Sequence, residues 1–451
     1  SFFSGILALF IVFLLLSPYS ELVGIKLSLP ISNIYFWLSF IGFILFTGVL
    51  AGSYPAFFLS SFQPIKVLKG KFVQIQQKVS PRKILVITQF AVAIIMIIST
   101  LVIRRQVEHA QNRDAGFDTE NLIYVSEVGD IKKNIELIKN ELINRDIATS
   151  VSRTMSPMTE RWSGWNGFSW EGKDPNSIIY FNRQSADNKV VETLGLRLIS
   201  GRDFDLKKFP TDSMSAIINE SAAKIMNLEN PIGSQFIDGD DKYTIIGVIK
   251  DFVQESPFRT VTPTVIEGAN MWINTLNIKF NPQLNTQTAL SKAEQVFKEF
   301  NPNYPFEYQF LDEAYAKKFE ETQKTGRLAT IFAGLTIFIS CLGLFGLAAY
   351  MAESRTKEIG VRKVLGASIF SVTRMLSKEF IFLIGISCLI AFPIAYWAMS
   401  KFISDYTYRA EISWEIFIIT AVIALIITVL TVSYHSIKAA MANPVDSLRD
   451  E

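Results

Sequence analysis

The sequence is poor in side chains that bind metals or form disulfides, with only two cysteines and two histidines. Cys341 and Cys388 both lie inside apolar runs, where a free thiol packs as a small hydrophobic side chain. The polar middle of the chain has no cysteine and therefore needs no disulfide. His109 and His435 lie far apart in the sequence, which argues against a histidine-based metal site. The net charge of +2 gives no reason to expect a nucleic-acid partner.

Short motifs that carry known chemistry are also missing. The sequence has no G-x-x-x-x-G-K-[ST] loop for nucleotide phosphates, no H-E-x-x-H or C-x-x-C pair, and no G-x-S-x-G turn. A nucleophile and a base that meet only in the folded domain stay open, because such a site needs no fixed spacing. We therefore expect a chain without a cofactor, a metal or a catalytic centre of its own.

Charge is scarce in six apolar segments, at residues 1–17, 34–56, 84–103, 328–350, 379–399 and 415–436. Most of them approach the roughly 20 residues that cross about 30 Å of hydrocarbon. A transporter that carries ions through the membrane midplane usually needs ionisable groups there. The pattern predicts a bundle of about six transmembrane helices that move as rods. Because the chain opens at Ser1 inside the first, short segment, we expect further sequence upstream.

The distribution of lysine and arginine predicts the orientation, since positively charged loops stay in the cytoplasm. The loop 57–83 has no acidic residue and six basic ones, Lys66, Lys69, Lys71, Lys78, Arg82 and Lys83. It should be cytoplasmic, whereas the loop 18–33, with only Glu21 and Lys26, should face outward. Counting crossings places residues 104–327 outside and both the loop 351–378 and the C-terminus inside.

The large outer region predicts an α+β domain. Strands at 121–127 and 147–153 flank a helix at 131–145, and strands at 276–280 and 306–310 flank a helix at 289–300. A helix at 221–227 and a strand at 243–250 fall between these two units. Polar helical sequence at 104–116 and 312–327 would extend the third and fourth spans outward as stalks. Fraying at the membrane surface is the alternative.

A compact charged segment, residues 357–367, lies between two apolar spans. Glu358 and Arg362 have the favourable i,i+4 order for a helical ion pair. Gly360 and Gly366 allow a close approach or a sharp bend. The following residues, 368–379, are amphipathic and basic, as suits the inner membrane surface. Two interpretations remain: a surface helix that only fixes the topology, or a docking helix for a cytoplasmic partner.

Two features of the outer region are also ambiguous. An aromatic loop is either a contact surface for a substrate or partner, or a core cluster; its residues are Trp162, Trp165, Phe168 and Trp170. Asp238, Asp240 and Asp241 surround Gly239, and the run favours a solvated hairpin turn over a calcium loop.

A short internal repeat follows the second and the last span. Tyr54 and Tyr434 each precede a proline by ten residues, at Pro64 and Pro444. Duplication and chance both explain such short tails. Duplication would place a counterpart of the charged segment before Ser1.

Several of these stretches together resemble a known family. Residues 355–367 (RTKEIGVRKVLGA) and 443–449 (NPVDSLR) resemble FtsX-like permeases of ABC transporters, of the MacB and LolC/E type. The stretches that resemble the MacB-type periplasmic core domain are 201–204 (GRDF), 217–223 (IINESAA), 230–233 (NPIG) and 246–252 (IGVIKDF). Residues 54–56 (YPA) and 62–64 (FQP) are similar to duplicated permeases of Bacteroidetes-like bacteria.

The resemblance implies a domain plan within the bacterial inner membrane. Residues 1–82 would end a first FtsX-like transmembrane set and include the basic loop, and 83–116 would form a transmembrane helix and stalk. Residues 117–311 would form the extracytoplasmic core domain. Residues 312–451 would form the second stalk and the second FtsX-like set. A dimer, or a pseudo-dimer with the chain's own upstream half, is expected.

The resemblance also implies a mechanism. A separate cytoplasmic ABC ATPase binds the inner loop, and its ATP cycle moves the outer domain through the stalks, for export or extraction of a substrate. The implied coupling residues are Lys357, Glu358, Ile359, Gly360, Arg362, Lys363, Leu365 and Gly366. Membrane lipid, a periplasmic adaptor and the substrate are further implied contacts. The alternative is a membrane sensor or scaffold whose outer domain binds a ligand or activates a cell-wall enzyme.

Overall fold

The computed structural model describes residues 1–60 and 81–441. In this part of the chain, six helices are long and apolar enough to cross a membrane. They are α1 (Phe2–Val23), α2 (Ile34–Ser60), α3 (Pro81–Gln111), α8 (Leu311–Ser354), α10 (Ile369–Ser404) and α11 (Trp414–Met441). The prediction of about six spans with a large inserted domain is confirmed.

Both ends of the segment 57–83, predicted as a loop, are helical, because α2 continues to Ser60 and α3 begins at Pro81. Four basic residues of that segment lie outside the described residues: Lys66, Lys69, Lys71 and Lys78. The repeat prolines Pro64 and Pro444 and the stretch 443–449 also lie outside them.

The chain divides into two compact units. The first contains the described residues of 1–90, 338–387 and 427–451. Within it, a Cβ on Gly5 of α1 would meet the Ile44 side chain of α2 at 2.6 Å, so the glycine permits this close helix approach. The Ser387 hydroxyl of α10 donates to the Ile87 carbonyl of α3 at 3.1 Å.

The second unit contains residues 91–337 and 388–426. Its first sheet has strands β1 (Leu122–Ser126), β2 (Ala148–Thr154), β11 (Thr275–Phe280) and β12 (Gln309–Phe310). The spatial order is β12-β1-β11-β2, with antiparallel neighbours. Helix α4 (Ile135–Asn144) joins β1 to β2, and α7 (Thr286–Phe300) joins β11 to β12. The two predicted β-α-β units are therefore present, and their strands alternate in the sheet as a split β-α-β arrangement.

The remaining elements are inserted between β2 and β11. Strands β3 (Ser163–Trp165), β4 (Ser169–Trp170), β5 (Phe181–Ser185), β6 (Leu198–Gly201), β7 (Ser215–Asn219), β8 (Gln235–Asp238), β9 (Asp241–Ile249) and β10 (Thr264–Glu267) form a second sheet. Its main order is β3-β5-β10-β7-β9-β8-β4, and β6 pairs with β9. Helices α5 (Val190–Leu194) and α6 (Glu220–Ile225) and a 3-10 turn at Pro210–Met214 complete the insert.

Several predicted boundaries differ from those in the structure. The strand expected at 306–310 is reduced to Gln309–Phe310, and the Phe306 ring packs on Phe297 of α7 with 4.6 Å between the ring centroids. Helix α7 begins before residue 289, since the Asn285 side chain caps it by accepting from the amide of Thr288 at 2.7 Å.

The helix expected from residue 131 begins at Ile135 instead. The third span was expected to stay helical as far as Gly116, but α3 ends at Gln111. The Asp114 carboxylate accepts from the Gly116 amide at 3.0 Å, and Gly116 has φ +83°. This turn geometry stops the helix. Both α3 and α8 are nevertheless continuous helices, of 31 and 44 residues.

Candidate functional site

The charged segment folds as a short helix, α9 (Thr356–Val364), in the first unit. The helix ends in a left-handed residue, Gly366, with φ +88°, and the Ala367 amide donates back to the Arg362 carbonyl at 2.9 Å. This backbone pattern is a Schellman ending, which needs a residue such as glycine at positive φ. The bend expected at Gly366 is therefore confirmed, whereas Gly360 is buried within the helix.

Ile359 fixes α9 to the start of α10. Its side chain is only 3% exposed and forms a small cluster with Val372, Ala367 and Met375. Residues 368–379, expected at the membrane surface, are largely the first turns of the continuous helix α10. Because Ile359 is buried in this cluster, its expected role as a direct contact is corrected to that of an anchor.

Charged side chains hold the base of the segment. The Glu379 carboxylate of α10 accepts from the guanidinium of Arg355, the residue just before α9, and pairs with Lys83 of α3 at 3.4 Å. The Arg82 guanidinium lies over the Tyr350 ring of α8, 4.1 Å from its centroid. These contacts join α3, α8 and α10 where α9 begins, so the segment projects from a fixed base.

Apolar side chains are exposed on the opposite face of α9 and on the residue that follows it. Val361 is 49% exposed, Val364 66% and Leu365 80%, at i, i+3 and i+4 spacing that places them together. We call these three residues the apolar ridge. Leu365 is among the coupling residues expected from the sequence, whereas Val361 and Val364 are not, although the i, i+3 and i+4 spacing of the three is visible there. Phe370, in the first turn of α10, was also not expected and is 76% exposed.

An ion pair lies beside the ridge. Arg362 Nη2 is 2.7 Å from Glu358 Oε1, as the i,i+4 spacing predicted, and both side chains are about half exposed. Such an exposed pair contributes only about 0.3–0.5 kcal/mol to helix stability. The side chains of Lys357 and Lys363 lie outside the described part of the structure.

The aromatic loop divides into two pairs in the second unit. Phe168 is fully buried and Trp170 is 8% exposed, and both rings contact Phe181 edge to face. They are core residues and not surface contacts. Trp162 and Trp165 are 42% and 37% exposed, so of the four aromatic residues only these two are available for the expected contact with a substrate or partner.

Trp162 stacks on Trp272, which is half exposed, with 6.2 Å between ring centroids. The sequence could not indicate this partner, because Trp272 lies more than 100 residues further along the chain.

The acidic run forms the hairpin turn between β8 and β9, with Gly239 at φ +60°. Asp238 pairs with Arg183, which also donates to Glu267 at 2.9 Å. Burial raises the pKa of Glu267 to about 7, although Arg183 opposes the shift. Across residues 1–60 and 81–441, no group of three or more His, Cys, Asp and Glu side chains could hold a metal ion.

Two family models match the chain. The FtsX-like permease C-terminal model matches residues 330–444, which include α9, and the MacB-like periplasmic core domain model matches residues 84–296. Together these ranges cover well over half of the chain.

Curated relatives give a consistent but more distant likeness. The macrolide export ATP-binding/permease protein MacB of Aggregatibacter actinomycetemcomitans is 23% identical over 45% of this chain and 33% of its own length. An uncharacterized ABC transporter permease, YknZ of Bacillus subtilis, is 24% identical over 57% of this chain and 66% of its own length. The chain thus spans between a third and two thirds of the length of these relatives.

Among solved structures, the periplasmic region of MacB from Actinobacillus actinomycetemcomitans matches 46% of this chain and 96% of its own chain. The identity is 14% and the TM-score 0.33.

Proposed function

We propose that this chain is the membrane subunit of an ABC transporter, because it belongs to the family of FtsX-like permeases with a MacB-like periplasmic core domain. In this proposal the subunit is not an enzyme. It binds a separate cytoplasmic ABC ATPase and converts the ATP cycle of that partner into movement of its outer domain.

The observation that carries the proposal is the apolar ridge on α9. Three exposed aliphatic side chains, two on a short helix and one just after it, are unfavourable in water, and their burial against a partner would be favourable. The buried Ile359 and the Glu379 ion pairs keep this surface from moving independently of the spans. A rigid attachment is what force transfer needs, whereas a helix that only anchored topology would need no outward apolar face.

Two long helices provide a route for the motion. Helix α8 contains 44 residues and therefore measures about 65 Å at 1.5 Å per residue, roughly twice the hydrocarbon thickness. Helix α3 contains 31 residues. The lysine and arginine distribution supports an orientation with α9 and the C-terminus in the cytoplasm and residues 117–311 outside the membrane. We propose the bacterial inner membrane as the location.

The 451 residues contain no phosphate-binding loop, and in this proposal ATP binds to the partner. Lipoproteins, peptides, macrolides and a cell-wall hydrolase awaiting activation all remain compatible as substrates or targets. A dimer or a pseudo-dimer with an upstream half, and a periplasmic adaptor, are part of the same proposal. Trp162 and Trp165 are the proposed outer contact residues.

The test is purification of the full chain from bacterial membranes, followed by identification of the proteins bound in stoichiometric amounts. We expect an ATPase with a phosphate-binding loop that hydrolyses ATP in the complex. Arg362→Glu, which places a second acid beside Glu358 at the ridge, should release it.

Arg145→Glu is the matched control, because Arg145 forms an equivalent i,i+4 pair with Glu141 on the outer domain at 2.6 Å. Equal ATPase recovery by both variants would contradict the proposed docking site. Stoichiometric recovery of a sensor kinase, with no ATPase, would favour the sensor alternative.

A further inference from the structure

The short loop between the last two spans is bonded to a helix that is distant in sequence. Gln106 of α3 is completely buried, and its Nε2 donates to the carbonyl of Tyr408 at 2.9 Å. Its Oε1 accepts from the amide of Ala410 at 2.8 Å. One side-chain amide thus pairs with both a carbonyl and an N–H of the loop, as a neighbouring strand would. Without Gln106, both backbone groups lose their partner.

His109 of α3 and Arg113, which lies two residues beyond the end of α3, also hold the loop. The His109 ring stacks on the Tyr408 ring, with centroids 4.5 Å apart and planes 10° apart. The Arg113 guanidinium lies 4.3 Å from the centroid of the same ring. Arg113 Nη1 also donates to the carbonyls of Pro257 and Arg259 in the outer domain, at 3.1 and 2.6 Å. The end of α3 and the residues just after it therefore contact two separate loops.

The two loops are also bonded to each other. The Tyr408 amide donates to the Phe258 carbonyl at 3.0 Å, and the Thr260 amide donates to the Thr407 hydroxyl at 2.7 Å. The buried Phe258 ring contacts Tyr406 of the inter-span loop and Phe319 of α8. We call these contacts among residues 106–113, the loop 405–410 and the loop 257–260 the outer clamp.

The outer clamp contains the short loop that joins α10 to α11, so movement of these two spans acts on it directly. Helix α10 ends at Ser404 and α11 begins at Trp414, so the intervening loop is short and both its ends are fixed to spans. Its middle residues are bonded to the outer domain. A shift of these span ends relative to the outer domain would break the backbone bonds of Tyr408 and Thr260.

We infer that the outer clamp is a third mechanical link between the spans and the outer domain, beside the two stalk helices. Gln106 is its positioning residue, because it fixes the loop 405–410 on α3. This inference rests on the proposed function. It predicts that α10 and α11 drive the outer domain through the loop 405–410 and do not merely line the bundle.

Hydrogen exchange of the full chain, read by mass spectrometry, tests the inference in two steps. In the first step, without nucleotide, Gln106→Leu should speed exchange at the amides of Tyr408, Ala410 and Thr260 at least tenfold. Gln111→Leu is the matched control, because Gln111 lies on the same helix and is exposed. Unchanged exchange in Gln106→Leu would overturn the positioning role.

The second step uses the complex with the co-purified ATPase and a non-hydrolysable ATP analogue. In the wild type, the analogue should change exchange in the loop 257–260. In Gln106→Leu, the ATPase should still bind and hydrolyse ATP, while the response of that loop falls at least fivefold. A residue with only a local structural role would leave the response at its wild-type size, and that result would overturn the inference alone. A wild-type complex that binds the analogue without any outer response would overturn the proposed function as well.

Discussion

Replacement of Leu365 separates docking from folding. The side chain is 80% exposed, so Leu365→Ala should change the unfolding free energy of the chain by no more than about 0.5 kcal/mol. If an ATPase covers the ridge, burial of this leucine contributes about 1.5–3 kcal/mol to binding. At about 1.4 kcal/mol per tenfold change, its loss should weaken the ATPase affinity about 10- to 100-fold. Leu365→Asp should weaken it further, because a charge would be desolvated at the interface.

The assay is a titration of the purified ATPase against the chain in lipid nanodiscs, with the melting temperature measured in parallel. Ile359→Ala is the contrasting variant, because Ile359 is 3% exposed and its truncation should cost about 2–5 kcal/mol of stability. Exposed Leu198 in the outer domain supplies the matched control, Leu198→Ala. A Leu365→Ala variant that binds the ATPase within twofold of the wild type, or that melts as early as Ile359→Ala, would refute the docking role of Leu365.

Three other changes give distinct outcomes. Gly366→Ala adds a Cβ in open space, so its cost is the strain of φ +88°, about 1–2 kcal/mol, and it should weaken ATPase binding in the same titration. The pKa of Glu267 is raised from 4.5 to about 7 in the folded chain. The contribution of this group to stability is therefore full below pH 4.5 and is lost as the pH rises through 7, by on the order of 3 kcal/mol. Glu267→Gln should therefore reduce the difference between melting temperatures at pH 5 and pH 8. Lys318→Met removes an ammonium that donates to the carbonyls of Thr159, Gln254 and Glu255. It should lower stability by about 1–3 kcal/mol and speed hydrogen exchange of the α8 amides. Unchanged exchange would contradict this bonding.

The features that could be predicted are those encoded by neighbouring residues. Long apolar runs identified the six spans, because a length of about 20 residues is a local requirement of the bilayer. The spacing of Glu358 and Arg362 predicted their ion pair, and Gly366 marked the bend. The two β-α-β units were also visible, since each has its own periodicity.

The features that sequence reasoning missed depend on distant partners. Ile359 was interpreted as a contact because nothing in the segment indicates that Val372 covers it. Phe168 is buried because the strands of the second sheet bring Phe181 and Phe236 against it. Gln106 has no local signal at all, since its partners lie about 300 residues further along the chain.

The most direct test of the central claim compares hydrogen exchange in the complex of the full chain and its ATPase with and without a non-hydrolysable ATP analogue. If the chain transmits the ATP cycle across the membrane, analogue binding should alter exchange both in α9 and in the outer loop 257–260. A change confined to α9 at saturating analogue would contradict transmission to the outer domain.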